Sequence, residues 1–159
     1  MTQPPASAPK PAGIDPRGPR FGALITAVVL LGVIFLALVG APAAALGLLA
    51  AQTLVFAWGA FAGVARHPYG VLYKAVVRPR LGAPAALEDP VPPTFAQGVG
   101  FVITLAGLVL HLLGVPYALV LAASAAFVAA FLNSVFAFCL GCQIYLLLVR
   151  AGVLGRATA

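Results

Sequence analysis

Four long apolar segments limit what this chain can fold into. They are predicted at residues 21–39, 43–64, 98–113 and 117–140, the last with a helical extension to 149. An α-helix of roughly 20 apolar residues crosses the ~30 Å hydrocarbon core of a bilayer. Of the 159 residues, 63% are hydrophobic and 8% are charged, whereas about a quarter of a typical soluble domain is charged. The sequence therefore predicts an all-α integral membrane protein, a bundle of four transmembrane helices.

The connections between these segments differ in length. Tight turns at "GAP" and "LGVP" follow the first and third spans, and one long polar connection joins the second and third. In that connection an apolar stripe at i, i+3, i+4 and i+7 predicts an interfacial amphipathic segment with tyrosines at headgroup depth; its residues are Tyr69, Leu72, Tyr73 and Val76. "EDPVPP" is predicted as loop. Residues 1–13 are predicted as a disordered Pro-rich tail, ahead of a membrane domain at residues 14–156.

The basic residues predict an orientation. In a four-span arrangement all of them fall on the side of both termini and the long connection: Lys10, Arg17, Arg20, Arg66, Lys74, Arg78, Arg80, Arg150 and Arg156. Because cytoplasmic loops carry an excess of Lys and Arg, we expect an N-in/C-in, multi-pass protein of the cytoplasmic (inner) membrane. The net charge of +6 is then expected to meet anionic lipid, and nucleic acid is not a predicted partner. The predicted residues for lipid or partner binding, here called the basic surface, are Arg66, Lys74, Arg78 and Arg80.

The two cysteines are the residues best suited to chemistry. Cys139 and Cys142 lie in "FCLGCQIYLLLVR" at the spacing of thiol-exchange pairs, in which one sulfur attacks and the other resolves. On a continuous helix Gln143 shares their face. Gly141 and the polar residues Asn133 and Ser134 are predicted as places where the long final helix breaks. The predicted supporting residues of the pair are Gly141, Gln143 and Asn133. Cys142 is predicted to lie nearer the cytoplasm and to be the attacking thiol.

Two observations weigh against ready reactivity. The usual motif opens a helix, where the helix dipole stabilises a thiolate, but this pair is predicted late in an apolar helix, where burial disfavours the charged form. Residues three apart on a helix have Cβ atoms about 5–6 Å apart, and a disulfide requires about 3.8 Å. A disulfide therefore requires a bend, which Gly141 would permit. Thiol or sulfur transfer, simple packing and metal binding all stay open for the pair.

Other chemistry has little support in the sequence. A four-ligand zinc site needs more than two cysteines and His67, and His111 is predicted at the opposite end of the bundle. The three carboxylates, Asp15, Glu88 and Asp89, all lie outside the predicted spans. We therefore predict no metal site and no cofactor, and the residues do not decide whether the protein is an enzyme.

Three blocks in the same order resemble the bacterial membrane family known as domain of unknown function 4395. They are "IDPRGPRFGALITAVVL", "PPTFAQGVGFV" and "FCLGCQIYLLLVR". The resemblance covers nearly the whole chain after residue 13, and the family's C-L-G-C positions correspond to Cys139 and Cys142. Members of this family tend to be encoded beside thioredoxin-like and sulfurtransferase genes, so the resemblance implies thiol or sulfur chemistry and a partner of one of those two kinds.

The first functional hypothesis is a thiol–disulfide or persulfide relay at the cytoplasmic face, with Cys139 and Cys142 as its redox pair. A thioredoxin-like or sulfurtransferase partner would dock on the basic surface. One alternative is a structural or accessory membrane subunit in which the cysteines only pack. The other is a transporter of a small solute such as a sulfur compound, which would require an oligomer because four helices enclose little space.

Overall fold

The computed structural model describes residues 13–154, and within that range it contains six α-helices and no strands. The four long helices are α1 (Arg17–Leu38), α2 (Pro42–Ala62), α4 (Val91–Leu112) and α5 (Ala118–Phe136), and each is long and apolar enough to cross a membrane. The short helices are α3 (Pro68–Leu72) and α6 (Leu140–Arg150). The predicted all-α fold with four transmembrane helices is confirmed. The predicted tail lies outside the described residues except for Gly13, and so do Lys10 and Arg156.

Helix α4 begins earlier than predicted. It starts at Val91, seven residues before the expected position 98, and Pro92 and Pro93 form its first turn. Proline is tolerated there because the first backbone N–H groups of a helix have no partner inside the helix. The carboxylate of Asp89 accepts the N–H of Val91 at 2.9 Å. The end of "EDPVPP", predicted as loop, is therefore helical.

The four long helices form one closed bundle. Helix α1 packs on α2 and α5, and α4 packs on the same two helices. Fully or almost fully buried side chains of α1, α2 and α5 form the core: Leu30, Val33, Ala45, Leu49, Leu119, Ala123 and Ala126. Between α4 and α5 the contact is very close, because Gly107 faces the methyl group of Ala122. Small residues that allow such approach are typical of helix contacts in membranes, while large apolar side chains such as Phe35 and Phe61 point outward.

The connection between α2 and α4 packs against the bundle. Tyr73 is only 2% exposed, and both Tyr73 and Tyr69 lie against α1 where Gly18 and Gly22 leave space. The predicted amphipathic stripe is therefore divided: Leu72 and Val76 are exposed, but the two tyrosines face protein. They turn inward because α1 presents glycines to them.

The segment before α1 is tied to the same connection. Ile14 and Glu88 exchange two backbone hydrogen bonds of 2.9 Å. Asp15 forms an ion pair with Arg17 at 2.8 Å and accepts the hydroxyl of Tyr73 at 3.1 Å. The hydrogen bond from Arg17 is the main reason why the pKa of Asp15 is lowered from 3.8 to about 2. The hydrogen bond from Tyr73 and the paired backbone at Glu88 hold the middle and the end of the connection beside the start of α1.

The end of the bundle where α1 and α4 begin is here called the basic end. The four residues of the basic surface are exposed, and all lie in the connection at this end: Arg66, Lys74, Arg78 and Arg80. Which side of the membrane this end faces stays a prediction from the positive-inside rule.

Candidate functional site

The final apolar segment is two helices, with a break in front of the cysteines. Helix α5 ends at Phe136, and Ala137 follows in the left-handed conformation (φ 56°, ψ 25°). The N–H of Phe138 turns back to the carbonyl of Leu132 at 3.2 Å, and α6 begins at Leu140. The predicted span over 117–140 therefore ends at Phe136, and the break lies between Ser134 and Gly141, two of the positions predicted for it. Asn133 stays inside α5 and Gly141 lies in the first turn of α6.

The break changes the setting of the cysteine pair. Cys139 is the N-cap of α6 with extended backbone (φ −84°, ψ 100°), and its Sγ accepts the N–H of Cys142 at 3.2 Å. The two residues are joined as a disulfide with Cα atoms 5.2 Å apart, within the usual range of about 4.4–6.8 Å. The pair therefore opens a helix, contrary to the expectation that it lies late in a continuous one. Because Cys139 lies outside the helical spiral, the two side chains can meet without a bend at Gly141.

Gly141 has a different role from the one predicted. It is buried against α4, where an added Cβ would lie 2.5 Å from the Cβ of Ala96 and 2.6 Å from its Cα. One turn later Tyr145 packs on Phe95, with ring centroids 5.6 Å apart. Gly141 thus lets the first turn of α6 touch the backbone of α4, and this contact fixes where the disulfide lies.

A cavity of about 190 Å³ lies behind the disulfide, among α1, α2, α4, α5 and α6. Its polar lining consists of Cys139, Asn133, Gln97 and Thr26, and none of the charged residues that the structure describes borders it. Most of the remaining wall is alanine, glycine and aliphatic side chains. Of the three predicted supporting residues, Asn133 and Gly141 line the same cavity as Cys139. Gln143, the third of them, is exposed and does not line it.

A buried polar network leads from this cavity toward the connection. Gln52 donates to Thr26 at 3.4 Å and accepts the hydroxyl of Tyr69 at 3.0 Å. The backbone N–H of Tyr69 in turn donates to Nδ1 of His67 at 3.3 Å. Polar side chains inside a membrane bundle normally bond to one another in this way. The chain of bonds joins α1 and α2 to the segment that carries His67.

His67 and Gln97 meet at Gly59. A Cβ at Gly59 would lie 2.7 Å from a carbon of each side chain, so the missing methyl group makes room for both. His67 is 5% exposed, and its Nε2 and the Oε1 of Gln97 are buried without a hydrogen-bond partner among residues 13–154. Burial lowers the pKa of His67. The neighbouring side chain of Gln97 acts to raise the same pKa, but its effect is the smaller of the two. The imidazole is therefore neutral at pH 7.

Gln97 and Thr26 are absent from the sequence prediction of the site. The available signal was that each is a polar residue inside an apolar run, which in a membrane helix usually faces protein. The sequence does not say which neighbour each one meets, because that depends on how α4 lies against α2 and α6.

The basic surface is separate from the cavity, since none of its four residues lines it. Lys74 donates to the carbonyl of Ala65 at 3.1 Å, and Arg80 donates to that of Val76. The backbone of Arg66 accepts the indole N–H of Trp58 at 3.1 Å. All four residues are exposed.

Metal ligands do not cluster in the part of the chain that the structure describes. No group of three or more His, Cys, Asp or Glu side chains that could hold a metal ion occurs there. His111 lies in the last turn of α4, at the opposite end of that helix from Gln97.

Comparison with known families and proteins gives one match. The family described as Domain of unknown function (DUF4395) matches residues 14–150. This range includes the four long helices, the cysteine pair and α6. No curated protein and no solved structure matches the chain.

Proposed function

We propose that this chain, which belongs to the DUF4395 family, is a thiol–disulfide or persulfide relay of the bacterial cytoplasmic membrane. Cys139 and Cys142 are its redox pair, facing the cytoplasm, and its partner is a thioredoxin-like or sulfurtransferase protein. The observation that carries the proposal is the position of the disulfide at the N-terminus of α6.

That position favours chemistry over packing. Unpaired N–H groups at a helix N-terminus stabilise a thiolate, which is the reactive form of cysteine. Ala137 adopts a left-handed conformation in the break that creates this N-terminus, which costs a non-glycine residue about 1–2 kcal/mol. Two cysteines that only filled space would pack equally well in an unbroken helix. The proposal explains why the chain carries this strained break directly before the pair.

The exchange follows ordinary disulfide chemistry. A thiolate of the reduced partner attacks one sulfur of the Cys139–Cys142 disulfide, which breaks that bond and forms a mixed disulfide. The second thiolate of the partner then attacks the partner's sulfur in the mixed disulfide. The partner leaves with an internal disulfide, and Cys139 and Cys142 are left as two thiols. Two electrons pass from the partner to the pair.

Sulfur transfer uses the same two residues in their reduced form. The thiolate of Cys139 attacks the outer sulfur of a persulfide on the partner and becomes a persulfide, and the partner thiol is released. Cys142 then attacks the inner sulfur, which restores the disulfide and releases hydrosulfide. Cys139 is the proposed attacking residue because it caps the helix. This assignment replaces Cys142, which was favoured when the pair was expected late in a continuous helix.

The basic surface is the proposed docking site. Its four side chains are exposed at the basic end of the bundle: Arg66, Lys74, Arg78 and Arg80. An acidic partner is steered toward such a surface by long-range attraction, and anionic lipid is held there in its absence.

Trapping a mixed disulfide tests the proposal. Cys139→Ser, Cys142→Ser and the double variant are prepared in membranes, reduced and freed of reductant. They are then mixed with a thioredoxin that lacks its resolving cysteine and whose remaining cysteine carries a 5-thio-2-nitrobenzoate group, which an attacking thiolate displaces. We expect Cys142→Ser to form a covalent complex that a reducing agent releases, because its remaining Cys139 is the proposed attacking thiol. The double variant is the matched control and should form none. If neither single variant forms a complex, after oxidation of its thiol or without it, the relay is excluded.

A further inference from the structure

We infer that the cavity behind Cys139 binds the headgroup of a membrane quinone, which reoxidises the reduced cysteine pair. This inference rests on the proposed relay and adds to it the electron acceptor. A disulfide/dithiol pair exchanges two electrons, and a quinone is a neutral carrier of two electrons and two protons that dissolves in the bilayer.

Access to the cavity is from the lipid side. Among its lining residues, Ala125 on α5 and Ile144 on α6 are exposed on the outside of the bundle. The cavity therefore meets the surface between these two helices. A ligand dissolved in the bilayer can enter there without passing through water.

The lining selects a neutral ligand. No charged side chain within residues 13–154 borders the cavity, so an anionic ligand such as a thiol that carries a carboxylate would lose its hydration without gaining a counter-charge. Ala126, Ala129 and Ala130 present only methyl groups along one face of α5, which offers a smooth wall to a flat ring. The volume of about 190 Å³ suits a single substituted ring, because a protein cavity of about 150 Å³ holds benzene.

Polar groups are available where such a ring needs them. Gln97 and Asn133 line the cavity together with Thr26 and Cys139. The buried Oε1 of Gln97 has no partner within residues 13–154, and an unsatisfied polar atom of this kind costs about 1–3 kcal/mol. A quinol hydroxyl donates to that oxygen, and the amide N–H groups of the same two side chains donate to a quinone carbonyl.

The redox step balances within the site. The thiols of Cys139 and Cys142 lose their S–H protons and one electron each, and an S–S bond forms between them. The quinone takes up the two electrons and two protons on its two oxygens and leaves as quinol. The disulfide is then ready to accept electrons from the next reduced partner.

The test uses the full chain in lipid nanodiscs with decylubiquinone as the probe. The protein is reduced, freed of reductant and mixed with the quinone without oxygen. Quinol is followed by absorbance, and remaining thiols by a maleimide that shifts the band on a gel. We expect one quinol per disulfide formed, and none from Cys139→Ser.

Variants separate the cavity from the thiols. Ala129→Leu fills the cavity and should slow quinol formation about tenfold or more, and Gln97→Leu should raise the KM for quinone by about threefold to tenfold. Val128→Leu, on the exposed side of the same helix, is the matched control and should behave as the unaltered chain. Diamide, a water-soluble thiol oxidant, should still oxidise Ala129→Leu at an unchanged rate, which shows that its pair is intact.

Three results would overturn the inference and leave the relay standing. One is a pair that exchanges with thioredoxin but is not oxidised by decylubiquinone. The second is quinone oxidation that Ala129→Leu and Val128→Leu affect equally, because the quinone would then react outside the cavity. The third is a pair that decylubiquinone does not oxidise, but whose disulfide sodium hydrosulfide reduces faster in the unaltered chain than in Ala129→Leu. That result would assign the cavity to a small sulfur compound.

Discussion

Replacing Gly141 by alanine tests how the disulfide is held in place. The new methyl group would lie 2.5 Å from the Cβ of Ala96 and 2.6 Å from its Cα, where ordinary contacts are 3.4–4 Å, so α6 must move away from α4 by about 1 Å. Overpacking of this kind costs about 1–3 kcal/mol, and the better helix propensity of alanine returns up to ~1 kcal/mol. We expect a net loss of about 1–2 kcal/mol in the free energy of unfolding, together with a changed rate of disulfide exchange.

The assay is detergent-induced unfolding followed by circular dichroism, beside the rate at which reduced thioredoxin opens the disulfide. Gly47→Ala is one control, because that glycine has open space around it; it should be neutral or stabilising. Gly107→Ala is the second control, since it clashes with Ala122 away from the cysteines and should lower stability without changing the exchange rate. If Gly141→Ala unfolds and exchanges like the unaltered protein, the contact with Ala96 does not hold α6.

Three further results are expected from the same unfolding assay. Because the folded pKa of Asp15, about 2, is below its ordinary 3.8, its contribution to stability is complete above about pH 5 and is lost as the pH falls toward 2; Asp15→Asn should flatten this part of the pH profile. Ala137→Gly should stabilise the protein by about 1 kcal/mol, since glycine adopts the left-handed conformation freely; a loss would show that Ala137 is not strained. Tyr69→Phe should lower the free energy of unfolding by about 1 kcal/mol, because it removes the hydrogen bond to Gln52. Tyr117→Phe is the control and should leave stability unchanged, because Tyr117 is 75% exposed. Equal effects of the two substitutions would contradict the buried hydrogen bond.

The spanning helices were predictable because bilayer thickness sets their length. Apolar runs and charge positions are visible in the sequence, and they gave four spans with tight turns after the first and third. Their ends were less certain. Pro92 and Pro93 indicate a loop when considered alone, yet both fit the first turn of a helix.

The setting of the cysteines was not predictable, because an apolar run does not show where a helix stops. The break falls at Ala137, a residue with high helix propensity, and neither Gly141 nor Asn133 interrupts a helix. The start of α6 depends on tertiary contacts. Gly141 allows the first turn of α6 to pack on Ala96 of α4, so α6 starts close to that residue. In the same way the tyrosine stripe indicated a membrane surface helix, and only the glycines of α1 reveal that Tyr69 and Tyr73 turn inward.

The most direct test of the proposed relay is the redox state of Cys139 and Cys142 in native membranes. Vesicles containing the full chain are treated with reduced or oxidised thioredoxin, and free thiols are then labelled with a maleimide before denaturation. The account predicts two labels per chain after reduced thioredoxin and none after oxidised thioredoxin, with repeated cycling between the two states. Thiols that stay unlabelled under both conditions, and that appear only after denaturation, would contradict it.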